Sequence, residues 1–256
     1  MTKALAVKEE SKIVEFDNSI FSQYAGAGAE EITQRDLKIP ILKVVEAMGD
    51  NLKKNSSKYL PDAKPGDIVD TAINEVVGRS VVFLPVKFKK SFIEWKDNKI
   101  KERHDEEILA KCEWRSIDGQ RKGNFRTDNG NEVSETLEFY GINLSSDGNP
   151  WVCVSMARGR INAAKTFISY LNRMLLPSGQ KAPLFYKVWD LSTKEEVSND
   201  RPYNTWEVRV NGLLEDREDA AFVLPQALDF LKVMNDGKAA AAEVDDDAAE
   251  QEECAM

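Results

Sequence analysis

Alternating apolar and polar residues predict a strand at residues 80–88. Val82, Leu84, Val86 and Phe88 fall on one side of this alternation, so we expect that side to face the core. Lysines follow in quick succession up to Lys101, with aromatic residues between them. A strand whose end carries bases and aromatic rings in an acidic protein indicates a binding surface rather than a packing surface.

The same patterning predicts more strands, mostly in pairs. Residues 133–144 and 150–157 are two strands joined by a turn that contains Asp-Gly, and residues 182–192 and 203–214 are another pair. The turn at 61–71 leads into a short strand, which we expect to form a hairpin with the strand at 80–88.

Between these pairs the pattern is weaker. Residues 105–114 indicate a short helix or an irregular strand, and residues 117–132 a glycine-containing loop. Apolar residues spaced three and four apart predict a helix that ends before Pro177; they are Ile161, Ala164, Ile168, Leu171 and Leu175. A second helix is predicted at 216–235, broken or kinked near Pro225.

This order of elements predicts an α+β, β-rich fold. We expect an oligonucleotide-binding-like Greek-key barrel or sandwich, with one or two inserted or C-terminal helices and a disordered acidic tail. Residues 1–30 are predicted to be a mobile arm, residues 31–235 a single nucleic-acid-binding domain, and residues 236–256 the tail.

The net charge of −9 belongs to this tail. Residues 239–256 hold seven acids and no base, which leaves acids and bases nearly equal in the rest of the chain. Such a segment is typical of a disordered partner-binding tail. The acids assigned to partner binding are Asp245, Asp246, Asp247, Glu250, Glu252 and Glu253.

Two segments of the body are locally basic. Eight bases and three acids lie between Arg79 and Arg103, and six bases but no acid lie between Gly148 and Trp189. Bases neutralise phosphates, and aromatic rings stack on unpaired bases without reading sequence. The predicted nucleic-acid-binding residues are Lys87, Lys89, Lys90, Phe92, Trp95, Lys96, Arg121, Lys122, Phe125, Arg126, Trp151, Arg158, Arg160, Lys165 and Arg173.

Catalytic chemistry has no signal of comparable weight. The one histidine, His104, lies among charges and is expected to be solvated, and Cys112 and Cys153 lie in apolar-periodic segments. No Cys-x-x-Cys or phosphate-binding loop is found, so we predict no enzyme activity, no cofactor and no metal. No apolar run is long enough to cross a membrane, and three scattered cysteines fit a reducing cytoplasm.

Several segments together resemble a family of tailed-bacteriophage early proteins that bind single-stranded DNA. They are "DLKIPILKVVEAM", "PGDIVDT", "VVGRSVVFLPVKFKKSFIEWK", "YKVWDLST" and "TWEVRVNG", and the resemblance spans roughly residues 31–235. It implies a protein that coats single strands without sequence specificity during phage DNA replication or recombination, in the cytoplasm of the host cell.

The expected partners are single-stranded DNA, replication or recombination proteins that contact the acidic tail, and further copies of the chain. Three alternatives stay open. A strand-annealing recombinase would also bind single strands, and a regulator would bind a host enzyme such as RNA polymerase. The third is a nuclease whose active site the sequence does not reveal.

Overall fold

The computed structural model describes residues 39–96, 99–116, 123–147, 150–198 and 201–237. The predicted arm, and all but the first two residues of the predicted tail, lie outside these ranges. Eleven strands form one curled, half-barrel sheet, and two α-helices pack against it. The β-rich class predicted from the sequence is therefore confirmed.

The strands follow one another along the chain with few interruptions. They are β1 (Ile41–Val44), β2 (Ile68–Asp70), β3 (Glu75–Gly78), β4 (Ser80–Lys96), β5 (Lys99–His104), β6 (Cys112–Ser116), β7 (Gly123–Thr127), β8 (Glu132–Asn143), β9 (Trp151–Ala157), β10 (Lys187–Ser198) and β11 (Arg201–Leu213). The helices are α1 (Ile161–Asn172) and α2 (Ala220–Asn235).

The main path of the sheet runs β11-β10-β4-β8-β9-β1-β2-β3. All its pairs are antiparallel except β1 with β9. The strand β5 pairs with β4 beside the main path. The β6–β7 hairpin joins the sheet because β7 pairs with β8. The predicted β8–β9 and β10–β11 pairs are confirmed, whereas the predicted hairpin partner of residues 61–71 is wrong, because β2 pairs with β3 and not with β4.

The sheet curls so that its two ends approach each other. Thr193 in β10 donates a hydrogen bond of 2.6 Å from its hydroxyl to the carbonyl of Gly66, which precedes β2. Gly66 has φ +88°, and a Cβ there would lie 2.8 Å from Oδ1 of Asn204 in β11. Glycine is therefore required at this contact, both for its backbone angle and for the space.

Both faces of the sheet are covered. The first core cluster packs α1 on one face through Ala164, Phe167 and Leu171, and the second packs α2 on the other through Val223, Ala227 and Phe230. A strand between two covered faces buries side chains of both parities, so β4 places Phe83 in the first cluster and Leu84 in the second. Simple alternation along β4 is lost for this reason.

An irregularity in β4 corrects the predicted grouping of its apolar residues. Pairing with β8 shifts register between Pro85 and Lys87, which reverses the side on which later residues lie. Val82, Leu84 and Val86 pack with the α2 cluster, but Phe88 packs with the α1 cluster. On β8, the residue that pairs with Pro85 is Gly141. A Cβ at Gly141 would lie 2.2 Å from the carbonyl oxygen of Leu84.

The two helices differ slightly from their predictions. In α1 the turn after Leu171 buries Met174 and leaves Leu175 59% exposed, so the apolar stripe ends one residue earlier than predicted. The helix α2 runs as one element from Ala220 to Asn235 with Pro225 inside it, and the expected break is not found. No helix among the described residues has the length and apolar character that crossing a membrane requires.

Candidate nucleic-acid interface

Half of the eight bases in the first basic segment face carboxylates. Lys90 lies 2.8 Å from Glu106, and Arg103 lies 2.6 Å from Glu138. Lys101 and Arg79 are paired in the same way with Glu94 and Asp67. Lys87 donates a hydrogen bond of 2.8 Å to Oδ1 of Asn235 in α2. The excess of bases read along this segment is therefore largely neutralised in space by other parts of the fold.

Three of the six bases in the acid-free segment from 148 to 189 also face acids. Arg158 lies 3.8 Å from Glu132 and Lys165 lies 3.9 Å from Glu135, and both of these acids belong to β8. Arg160 pairs with Glu46. A count along the chain cannot detect these acids, because they reach the helix from neighbouring strands and loops.

A few predicted bases keep open positions. Lys89, Lys96 and Arg173 are exposed, and within the described part of the chain none of them makes an ion pair. Arg126 donates a hydrogen bond of 2.7 Å to the backbone carbonyl of Gly130, so this contact does not neutralise its charge. Arg121 and Lys122 lie outside the described residues. These bases are spread over several elements rather than gathered in one groove.

Three of the four predicted stacking residues are occupied by packing. Phe92 is 2% exposed and Trp95 is 9% exposed, and the Trp95 indole donates a 2.7 Å hydrogen bond to Ser134. The guanidinium carbon of Arg158 lies 4.2 Å from the centre of the Trp95 ring. A base cannot stack on rings covered in this way, so the stacking roles predicted for Phe92 and Trp95 are corrected to core packing.

Trp151 is half-buried and is also taken up by packing. Its ring stacks on Phe230 of α2 with centres 4.5 Å apart and planes 8° apart. One face of the indole is therefore closed by the helix, and Trp151 helps to hold α2 on the sheet. Its role as a platform for nucleic-acid bases stays a prediction.

The fourth residue, Phe125, is half-buried and packs against an exposed indole. Phe125 in β7 lies directly opposite Trp114 in β6, and the ring centres are 4.9 Å apart with planes at 72°. The Trp114 side chain is 53% exposed. Such an edge-to-face pair holds the indole in place while one side remains open to solvent.

Bases lie along the same hairpin. Arg115 and Arg126 alternate with the aromatic residues and therefore point to the opposite face of the ribbon. Counting from Cys112 to Thr127, the hairpin and its loop hold four bases and two acids. Adjacent strands are only about 4.8 Å apart, so long arginine side chains can reach the edge of the aromatic face.

Sequence reasoning missed Trp114. The segment 105–114 was read as a short helix or irregular strand, whereas the structure ends a 3₁₀ turn at Lys111 and begins β6 at Cys112. The sequence signal that could have identified Trp114 is its position next to Arg115, since Phe125 and Arg126 show the same aromatic–basic order. Two short strands with matching aromatic and basic parities are typical of a hairpin with one aromatic face.

A family model described as Pam3 phage gp34-like protein matches residues 10–240, which is most of the chain. The chain belongs to this family. The phage origin expected from the sequence is therefore supported. Comparisons with curated proteins and with solved structures gave no match.

Beside the hairpin, this gp34-like protein buries a charged carboxylate. Glu94 is 3% exposed and accepts hydrogen bonds from Lys101 at 2.8 Å and Asn131 at 2.6 Å, while His104 Nε2 lies 2.9 Å from its other oxygen. Burial alone would raise the pKa of Glu94, but these hydrogen bonds outweigh it and lower the pKa to about 2. His104, expected to be solvated, thus helps to fix β5 to β4.

Among the described residues, one group has donor atoms close enough to hold a metal ion, within 4.8 Å of one another. It consists of Glu94, Glu102 and His104. The carboxylate of Glu94 already receives three partners, and Lys101 supplies its counter-charge. Hydrogen bonding accounts for this arrangement by itself, so we read it as a structural polar network.

Burial raises the pKa of the Cys153 and Cys112 thiols, which disfavours the reactive thiolate.

A cleft of about 270 Å³ separates α1 from the β10–β11 hairpin. Its wall includes Asn162 and Tyr170 from α1 and Lys194 from β10. Tyr170 is 44% exposed and stacks over the buried Trp189 with ring centres 5.9 Å apart. This surface places one accessible ring near Arg173, three residues further along the chain, and is the second place where an aromatic residue and a free base coincide.

Proposed function

We propose that this phage protein binds single-stranded nucleic acid through the β6–β7 hairpin. The observation that carries the proposal is the exposed Trp114 indole, packed against Phe125 on a basic ribbon. Exposed indoles are uncommon on protein surfaces without a partner, and stacking on a nucleic-acid base is worth about 1–3 kcal/mol per ring. The predicted bases Arg121 and Lys122 stand between β6 and β7 in the sequence.

Single strands suit this surface better than duplexes. The face offers one open indole, on which an unpaired base can stack, with cations on the same hairpin. Bases stacked in a duplex present edges rather than faces, whereas an unpaired base can lie flat on Trp114. Arg115 and Arg126 then contact phosphates around the edge of the ribbon, with Tyr170 and Arg173 as a second contact on a long strand.

The role in the phage follows from this activity. We propose that the protein coats single strands during DNA replication or recombination, with little sequence preference and without catalysis. A curled, β-rich sheet with an aromatic hairpin supports the closer assignment to oligonucleotide-binding barrels. The acids from Asp245 to Glu253 contact a basic replication protein, as expected from the sequence.

A salt-titrated binding assay tests the activity. Labelled single-stranded and duplex oligonucleotides of equal length are titrated with the full chain at several salt concentrations. Single strands should bind more tightly, and the logarithm of the affinity should fall linearly with the logarithm of salt as phosphates are neutralised. Replacing Arg115 and Arg126 with glutamine should flatten that line.

Equal or tighter binding of the duplex would reject the proposal. The absence of binding to either oligonucleotide, with specific retention by a host enzyme instead, would favour the regulator that the sequence left open.

A further inference from the structure

The first half of α2 carries an apolar surface that nothing in the described fold covers. Phe222 is 63% exposed, Leu228 49% and Leu224 40%, and Ala221 and Pro225 between them are also exposed. At 100° per residue these five positions fall within about 160° of the helix circumference. The opposite side of α2 is buried, so the first half of the helix is apolar nearly all round, and the exposed Asp229 and Lys232 enter the same arc further along. Such a helix is typical of a buried element.

The size of this surface decides between occupants. A stable interface between two proteins buries about 1,200–2,000 Å² in total. Three half-exposed apolar side chains provide only a small part of that area, so a second copy of the chain would be held weakly. A segment attached to the same molecule needs far less contact, because tethering supplies an effective concentration of about a millimolar.

The chain itself supplies such a segment. The described structure begins at Ile39, which is 1% exposed and belongs to the core cluster beneath α2. The described fold therefore begins in the same cluster that packs α2 against the sheet. Residues 25–38 span about 20 Å as a flexible tether, and α2, with 16 residues, is about 24 Å long.

Residues 13–24 have the pattern that this surface requires. Their apolar side chains fall within about 160° at helical spacing, while Glu15, Asn18 and Ser22 lie on the other side. Asp17 is the one polar residue within the apolar arc. The apolar members are Ile13, Val14, Phe16, Ile20, Phe21 and Tyr24.

We propose that residues 13–24 bind, through this apolar side, to the exposed face of α2 formed by Phe222, Leu224 and Leu228 in the same chain. The proposal gives part of the N-terminal arm a binding site instead of the free mobility expected for it. It is independent of nucleic-acid binding, since the surface lies on α2 and not on the β6–β7 hairpin.

Hydrogen exchange of the full-length chain tests the proposal. Backbone amides of residues 13–24 should exchange slowly, and Leu228→Glu or Phe16→Glu should each accelerate that exchange at least about tenfold. Glutamate is tolerated in helices, so Leu228→Glu should leave the amides of β4 and β8 protected. Val197→Glu, at a residue that is 68% exposed on β10, is the matched control and should change nothing.

Three outcomes would overturn it. Fast exchange of residues 13–24 in the unmodified chain shows that the segment does not bind. Protection that survives Leu228→Glu places it on another surface. Protection that disappears on dilution, with a dimer detected by light scattering, assigns the surface to a second copy. Affinity for single strands is measured on the same variants and should stay unchanged, which separates this proposal from the proposed function.

Discussion

The strand β4 and the β6–β7 hairpin look alike in sequence but differ completely in the structure. Each combines aromatic residues with closely spaced bases. At Phe92 and Trp95 the strand β4 lies between β5 and β8, and both side chains are buried. The hairpin joins the sheet only through β7, and Trp114 stays 53% exposed.

The difference shows that position in the sheet decides what such a segment does. In a central strand, aromatic side chains gain most by entering the core, and bases beside them meet carboxylates of adjacent strands. In the β6–β7 hairpin at the margin, no described element covers Trp114, although Arg115 faces Glu113 there. Composition alone therefore assigns the same role to two segments of which only one can bind a partner.

The largest expected effect is a difference in folding stability between variants that lack the Trp95 indole and variants that lack the Trp114 indole. Trp95→Ala should lower the free energy of unfolding by roughly 3–5 kcal/mol, because it leaves a cavity in the core and frees Ser134 of its partner. Trp114→Ala should change it by less than about 0.5 kcal/mol. Urea denaturation of both variants measures the contrast, and equal losses would show that the hairpin is part of the core.

The ion pair of Arg103 and Glu138 should matter nearly as much. Glu138 is 2% exposed and also accepts a hydrogen bond of 3.1 Å from Tyr140. Arg103→Ala leaves this buried carboxylate without its counter-charge, which should cost about 2–3 kcal/mol, less than the 3–5 kcal/mol for a fully buried pair because Arg103 is partly exposed. Arg115→Ala, whose partner Glu113 is exposed, is the matched control and should be nearly neutral in urea denaturation.

Much of the fold could be predicted from residues with clear periodicity. The β8–β9 pair and α1 follow from local turns and spacing, which act within one segment. The length of β4 could not be predicted, because the register shift near Pro85 interrupts the alternation of apolar and polar residues. The pairing of β2 depends on contacts between distant segments, and no local signal reports those.

The site was harder to predict than the fold. Charge counts correctly found cations such as Lys165, but Glu135, which pairs with it, comes from another strand. Phe125 was predicted because it lies among bases, whereas the pattern of residues 105–114, a short helix or an irregular strand, gave no reason to select Trp114. Exposure is a property of the assembled sheet, so the sequence could not separate Trp95 from Trp114.

Acid should affect the region around β4 through Glu94. The folded pKa of Glu94, about 2, lies below its ordinary value of 4.5, so its contribution to stability is complete above 4.5 and is lost as pH falls towards 2. The unmodified protein should lose more stability than Glu94→Gln between pH 5 and pH 3. Melting temperatures over that range test this, and parallel curves for the two proteins would mean that Glu94 is not held charged by Lys101 and Asn131.

A smaller effect compares the bases of the two regions. Replacing Lys87, Lys89 and Lys90 with alanine should weaken single-strand binding only slightly, because Lys90 faces Glu106 and Lys87 is bonded to Asn235. Replacing Arg115 and Arg126 should weaken it more and reduce the salt slope. Binding titrations at two salt concentrations rank the variants, and a larger loss from the lysines would return the interface to β4.

The most direct test of the account is the affinity of Trp114→Ala for a single-stranded oligonucleotide. Loss of one stacked ring should weaken binding by about 1–3 kcal/mol, or roughly five- to 150-fold, with the salt slope and the melting temperature unchanged. Phe222→Ala removes an aromatic ring that is 63% exposed on α2 and should bind like the unmodified protein. An affinity of Trp114→Ala equal to that of Phe222→Ala would contradict the proposal that the β6–β7 hairpin binds single strands.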